Sequence, residues 1–75
     1  MNYDYLVDAS GERCPMPLLK AKRQLNMMKS GECLKVIATD AASVRDFSSF
    51  IKLTGHKLEK EQLEQGLFVY YIVKS

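Results

Sequence analysis

Histidine occurs once and cysteine twice in these 75 residues, too few of either for a metal centre or a disulfide framework. The wide separation of Cys14 from Cys33 fits neither a Cys-x-x-Cys redox pair nor a zinc spacing. No apolar run approaches the roughly 20 residues of a membrane-spanning helix. Nothing at the amino end has the charged, apolar, small-residue order of an export signal. The expectation is a soluble cytoplasmic protein with reduced thiols and no membrane contact. Repeats, low-complexity tracts and dividing linkers are missing as well, which leaves residues 1–75 as one domain. A chain this short buries only about 60% of the surface that its unfolded form exposes. Little stability is left over for an elaborate catalytic pocket.

An excess of charge is also lacking. The net charge of +2 does not by itself argue for nucleic acid. Its distribution says more: Lys20, Lys22, Arg23 and Lys29 lie within residues 15–29 with no acid among them, whereas Glu59, Glu61 and Glu64 crowd residues 57–64. One face is therefore expected to be basic. No aromatic residue interleaves those cations, so direct nucleic-acid binding is not expected. Lys20, Lys22 and Arg23 are candidates for docking a partner, against the plainer reading of a solvated helix face.

What is present reads as alternating strands and helices. Tyr3, Tyr5 and Val7 alternate with Asp4, Leu6 and Asp8, the period of a strand. A loop with Ser10 and Gly11 follows. Leu18, Leu19, Ala21, Leu25 and Met28 take the spacing of an amphipathic helix that Ser30 and Gly31 stop. Leu34, Val36 and Ala38 alternate with Lys35, Ile37 and Thr39 in a second strand ending at Asp40, a candidate cap or turn residue. Val44, Phe47, Phe50, Ile51 and Leu53 mark a second helix, closed by Gly55. Residues 57–63 are charged and suit a guarded edge strand; residues 67–73 are apolar throughout and suit the middle of a sheet; Gln65 and Gly66 make the turn between them. The order β-α-β-α-β-β, with right-handed crossovers, predicts an α+β fold: a two-layer sandwich with both helices on one face of a mixed four-stranded sheet. Both side-chain sets of the last strand are apolar, so apolar surface on the uncovered face is expected to meet a partner or be shielded by tyrosines.

The chemistry is concentrated in Gly11, Glu12, Arg13, Cys14, Pro15, Met16 and Pro17. Proline favours the first helical position, since its φ is already helical and its missing N–H would have been unpaired. Pro15 in that place makes Cys14 the N-cap, with Met16 the nearest free donor because Pro17 has none. A sulfur at the positive helix end has its anion favoured by about 0.3 to 2 kcal/mol, and a thiol pKa below about 8.5 is then expected. Arg13 is a candidate to add to the effect. In the competing frame the residue before a proline resists helix, the helix starts at Pro17, and Cys14 rides on the loop. Both frames leave the sulfur accessible.

With this run in place the chain resembles the TusA family, also called SirA-like, of small sulfur-carrier proteins. The likeness rests on Leu6, Val7, Asp8 closing the first strand, on Gly11 and the Cys-Pro-x-Pro signature at Cys14 to Pro17, and on Ser30, Gly31, Glu32 before the second strand. It continues through Asp40, Ala41, Ala42, Ser43, Val44, Arg45, Asp46 at the second helix and Gly55, His56 after it. The resemblance implies two helices on a mixed four-stranded sheet, similar to the C-terminal domain of the third bacterial translation initiation factor. It implies that Cys14 takes sulfane sulfur as a persulfide from a cysteine desulfurase or other persulfide donor and passes it to an acceptor protein, with no cofactor on this chain. In the best-known member that route leads to 2-thiouridine in transfer RNA; relatives are linked to sulfur oxidation, molybdenum-cofactor or selenium metabolism. Arg13, Pro15, Met16 and Pro17 are then support for the helix mouth, and Asp40, Arg45 and Asp46 candidate neighbours of the cysteine.

The remaining residues have plainer readings. Cys33, at a strand start without a proline turn, reads as a structural or incidental thiol. His56 after the helix-ending glycine is expected to satisfy terminal carbonyls. Asp40 and Asp46 read as a cap and a first-turn charge before they read as acid or base. Two other function classes stand beside the carrier: a protein-interaction or regulatory module in which Cys14 is incidental, and an RNA-contacting domain suggested by fold analogy. A monomer that forms transient complexes is expected.

Overall fold

The computed structural model describes residues 2–75. Its elements are β1 (Tyr5–Ala9), α1 (Met16–Asn26), β2 (Cys33–Ala38), α2 (Ala42–Thr54), β3 (Lys57–Glu64) and β4 (Leu67–Val73), in the sheet order β1-β2-β4-β3. β1 and β2 are parallel, while β4 runs antiparallel to both of its neighbours. The crossover through α2 therefore steps past one strand position, and the hairpin from β3 returns β4 into the gap. That central placement is why β4 is apolar at every position while the edge strand β3 is mostly charged.

One face of the sheet carries Leu34, Val36 and Ala38 of β2 with Tyr70 and Ile72 of β4, and both helices cover it. α1 supplies Ala21 and Leu25 and α2 supplies Phe47 and Phe50 to the same cluster. Phe47 stacks on Tyr70 with ring centroids 4.5 Å apart. The buried stripe of α1 is Pro17, Ala21 and Leu25, spaced by four residues. Leu19 falls nearly opposite Pro17 on the helical wheel and stays 47% exposed, so it leaves the expected apolar set. Val44 and Leu53 are exposed too, on opposite flanks of the buried stripe of α2, and leave it as well.

The uncovered face closes over itself. Val69 and Tyr71 of β4 are buried there although no helix covers them. Tyr3, which lies before β1 rather than in it, tilts against Tyr71 with centroids 6.4 Å apart. The Lys35 ammonium sits over both rings, 5.2 and 5.7 Å from their centroids, a cation–π arrangement worth about 0.5 to 1 kcal/mol where solvent reaches it. Tyr3 and Lys35 thus shield Tyr71, part of the apolar surface that the pattern of β4 left unassigned.

Element ends have local causes. α1 stops at Asn26, short of Ser30, because the N–H groups of Met27 and Met28 donate to the carbonyls of Gln24 and Leu25 three residues back and tighten the final turn. Lys74 also donates through Nζ to the Leu25 carbonyl at 2.7 Å. Gly55 ends α2 with φ of 79° and donates its N–H to the Ile51 carbonyl, a left-handed closure that only glycine adopts without strain. Among the described residues no helix is long and apolar enough to cross a membrane.

Candidate functional site around Cys14

Parallel strands β1 and β2 end side by side, so the loops that follow them meet beyond their C-terminal ends, where open α/β sheets tend to place ligands. Two hydrogen bonds join those loops and a third closes the turn into α2. Gly11, with φ of 80°, donates its N–H to Thr39 Oγ1 at 2.8 Å. Cys14 donates its N–H to Asp40 Oδ2 at 2.7 Å, and Ala42 donates its own to Asp40 Oδ1 at 3.0 Å. One carboxylate therefore ties the cysteine loop to the start of α2. These two backbone bonds hold the Asp40 carboxyl below its usual range, and the Arg13 charge adds to them.

The helix mouth differs from the first frame read in the sequence. α1 begins at Met16, Pro15 is its N-cap, and no side chain caps it. Cys14 lies one residue upstream, on the loop, where the competing frame put it, although α1 includes Met16 and does not wait for Pro17 as that frame expected. The Cys14–Pro15 peptide is cis. The Pro15 carbonyl accepts the first α-helical bond, from Leu19 at 3.0 Å, and the Arg13 carbonyl accepts from Met16 at 2.9 Å. Pro17 is buried in the first turn while Met16 remains 41% exposed. The prolines thus shape the turn, and the cysteine thiol is left free of α1.

The thiol turns to the other helix. Cys14 Sγ donates to Asp46 Oδ2, on the second turn of α2 rather than its first. Cys14 is exposed, and its pKa is pushed up, in order of weight by the Asp46 hydrogen bond, by partial loss of hydration, and by the negative charges of Asp46 and Asp40; Arg45 opposes them. An acidified thiol was expected from the helix dipole. The direct bond to a carboxylate outweighs a dipole whose axis the sulfur no longer caps, and the expectation is corrected: the thiol pKa is raised, not lowered. The Arg13 charge bears on Asp40.

Other sequence candidates separate from this cluster. Lys20 pairs with Glu12 at 2.5 Å, while Lys22 and Arg23 are exposed on α1 without an ion-pair partner among the described residues. A shallow groove of about 650 Å³, lined by Ala41, Val44, Arg45, Ser48 and Lys52 among others, runs along the outer side of α2 from the Asp40 loop. Cys33 starts β2 at the opposite end of the sheet, where burial, followed by the charges of Asp4 and Glu59, pushes its thiol pKa up. His56 does not reach the α2 carbonyls: its Nδ1 accepts from the Ser75 N–H at 3.0 Å and lies 3.1 Å from Ser75 Oγ. Burial lowers its pKa, with help from Lys74. No three or more His, Cys, Asp or Glu side chains among the described residues are grouped to hold a metal.

Two contributors were not singled out in the sequence. Thr39 anchors Gly11, and Ser43 Oγ shares a buried 2.8 Å hydrogen bond with the Tyr70 hydroxyl beneath the start of α2. Nothing local marks Thr39, whose partner Gly11 is 28 residues away, or Ser43, whose partner is 27 residues away.

The chain has relatives among known proteins. The sequence pattern of the family described as sulfurtransferase TusA matches residues 5–74. A sulfur carrier protein TusA from Allochromatium vinosum is 50% identical over 74 residues, covering 99% of this chain and 97% of that one. A sulfur carrier protein TusA from Pseudomonas putida is 38% identical over 72 residues, covering 96% of this chain and 90% of the other. A putative sulfur carrier protein from Neisseria meningitidis is 39% identical, with 96% of each chain covered. The crystal structure of a SirA-like protein from Desulfitobacterium hafniense superposes with a TM-score of 0.84 over 93% of this chain and 96% of the other, at 22% sequence identity, which speaks to the fold.

Proposed function

This chain belongs to the TusA sulfurtransferase family of sulfur carriers, and from that premise we propose that its cargo is sulfane sulfur held as a persulfide on Cys14. The observation that carries the reading is an exposed sulfur on a loop whose backbone is pinned by Asp40. Transfer between proteins needs such a sulfur: reachable by a partner's cysteine, yet fixed in position. A stationary pocket is not needed, because donor and acceptor each bring their own reactive group.

The donor in this reading is a cysteine desulfurase or another protein persulfide, and the acceptor a second protein thiol, one route being 2-thiouridine synthesis in transfer RNA. The carrier acts in the cytoplasm, where the free thiols of Cys14 and Cys33 persist. It works as a monomer of one domain that meets its partners transiently and makes no direct contact with nucleic acid. Met16 and Leu19 lie exposed beside the cysteine loop, and the free cations Lys22 and Arg23 continue along the same helix. Together they suit brief, electrostatically guided docking.

The test is intact-mass analysis after incubation with a cysteine desulfurase and cysteine. The wild type and Cys33→Ser should gain the mass of one sulfur atom, and Cys14→Ser should gain none. Unchanged mass of the wild type with several persulfide donors overturns the reading.

A further inference from the structure

We propose that Asp46 is a positioning residue of the sulfur-transfer cycle, holding the empty Cys14 thiol against α2 and releasing the loaded one. The proposal rests on the persulfide reading given above. Its ground is the hydrogen bond from Cys14 Sγ to Asp46 Oδ2. An ionised carboxylate can only accept, so the sulfur that bonds to it carries its proton. The other charges facing the sulfur come from the loop before α2 and from α2 itself: Asp40, already engaged by two backbone N–H groups, and Arg45. Arg13, on the cysteine loop, bears on Asp40, and the nearest cation of α1 toward the loop, Lys20, is paired with Glu12. Two anions against one cation favour a neutral occupant.

Loading changes the occupant's charge. The Cys14 thiol gives its proton to water, and the thiolate's electron pair forms an S–S bond to the outer sulfur of the donor persulfide. The donor's S–S bond breaks, and the donor cysteine leaves as a thiolate that takes up a proton. Sulfane sulfur changes hands, and no outside oxidant or reductant is consumed. The terminal sulfur of the new persulfide is more acidic than a thiol and stands as an anion near neutral pH. It has no proton for Asp46, and both carboxylates repel it. The Cys14 N–H remains on Asp40, so the side chain swings outward about its own bonds while the loop stays in place. On delivery an acceptor thiolate takes the outer sulfur, and Cys14 Sγ leaves with the bonding pair, regains a proton and returns to Asp46. The same carboxylate thus retains the empty carrier and exposes the cargo of the full one.

The variants are Asp46→Asn and Asp46→Glu in a Cys33→Ser background, so that alkylation reports Cys14 alone. Asp46 is half-buried on the surface of α2, and circular dichroism melts establish that each variant folds. In the empty protein, the pH profile of iodoacetamide alkylation should move to lower pH in Asp46→Asn and return toward the parent in Asp46→Glu. In single-turnover assays Asp46→Asn should load severalfold faster from a desulfurase, because more thiolate is present. It should release sulfur severalfold more slowly to a small thiol, because the amide N–H retains the persulfide anion. A general loss of structure would slow both steps. An alkylation profile unmoved in Asp46→Asn, or loading and release that shift in the same direction, overturns the proposal. Failure of the Cys33→Ser parent as well as both variants to take up sulfur, with the alkylation profile still shifted, overturns the carrier reading and the release half of this proposal, while leaving Asp46 as the holder of the thiol proton.

Discussion

At the scale of single residues the site is governed by two aspartates with different partners. Asp40 accepts backbone N–H groups and sets where the cysteine loop lies; Asp46 accepts the thiol and sets its protonation. The Asp40 carboxyl is depressed in the folded state, so its contribution to stability is present above its unfolded pKa of about 3.9 and is lost as pH falls through the lower folded value. Asp40→Asn should therefore melt below the wild type near neutral pH, and the gap should narrow in acid, read by thermal melts across the pH range. Beneath them, the Ser43 and Tyr70 hydroxyls satisfy each other in a site closed to water. Tyr70→Phe leaves the serine hydroxyl without its partner and should cost about 1 to 3 kcal/mol in urea unfolding. Cys14 itself shows what sequence could and could not say. Its exposure was legible from two prolines that keep the helix from starting before it. The direction of its pKa was not: the family resemblance marked Asp46, 32 positions away, as a candidate neighbour, but only the packing of α2 turns that carboxylate onto the thiol.

Elements were legible where composition is strongly patterned. The hairpin at Gln65 and Gly66, both with positive φ, follows from turn chemistry alone, as does the closure of α2 at Gly55. Replacing Gly55 by alanine forces a side chain into a left-handed position with open space around it, so backbone strain acts alone and stability should fall by about 1 to 2 kcal/mol in chemical denaturation. The charged β3 and apolar β4 identified edge and centre in advance. Helix faces were harder, because a stretch with more apolar residues than one stripe can bury does not say which to leave out. α1 buries Pro17, Ala21 and Leu25 and exposes Leu19; α2 buries Ser43, Phe47 and Phe50 and exposes Leu53. Leu25→Ala should accordingly cost about 2 to 5 kcal/mol. Leu19→Ala should change stability by about 0.5 kcal/mol or less while remaining available to test docking.

For the whole molecule, the core is drawn from one sheet face and two helices, and the Cys14 sulfur lies outside it, on the first of two strand-end loops that meet at the rim. That arrangement suits a protein that delivers an atom held on its surface. Cys33 lies at the far end of the sheet and takes no part in this account. The most direct measurement is to load the protein with a desulfurase, trap persulfides with an alkylating agent, digest it, and read by mass spectrometry which cysteine peptide bears the extra sulfur. The account predicts the trapped sulfur on the Cys14 peptide and none on the Cys33 peptide. Sulfur found on Cys33, or on neither, would contradict it.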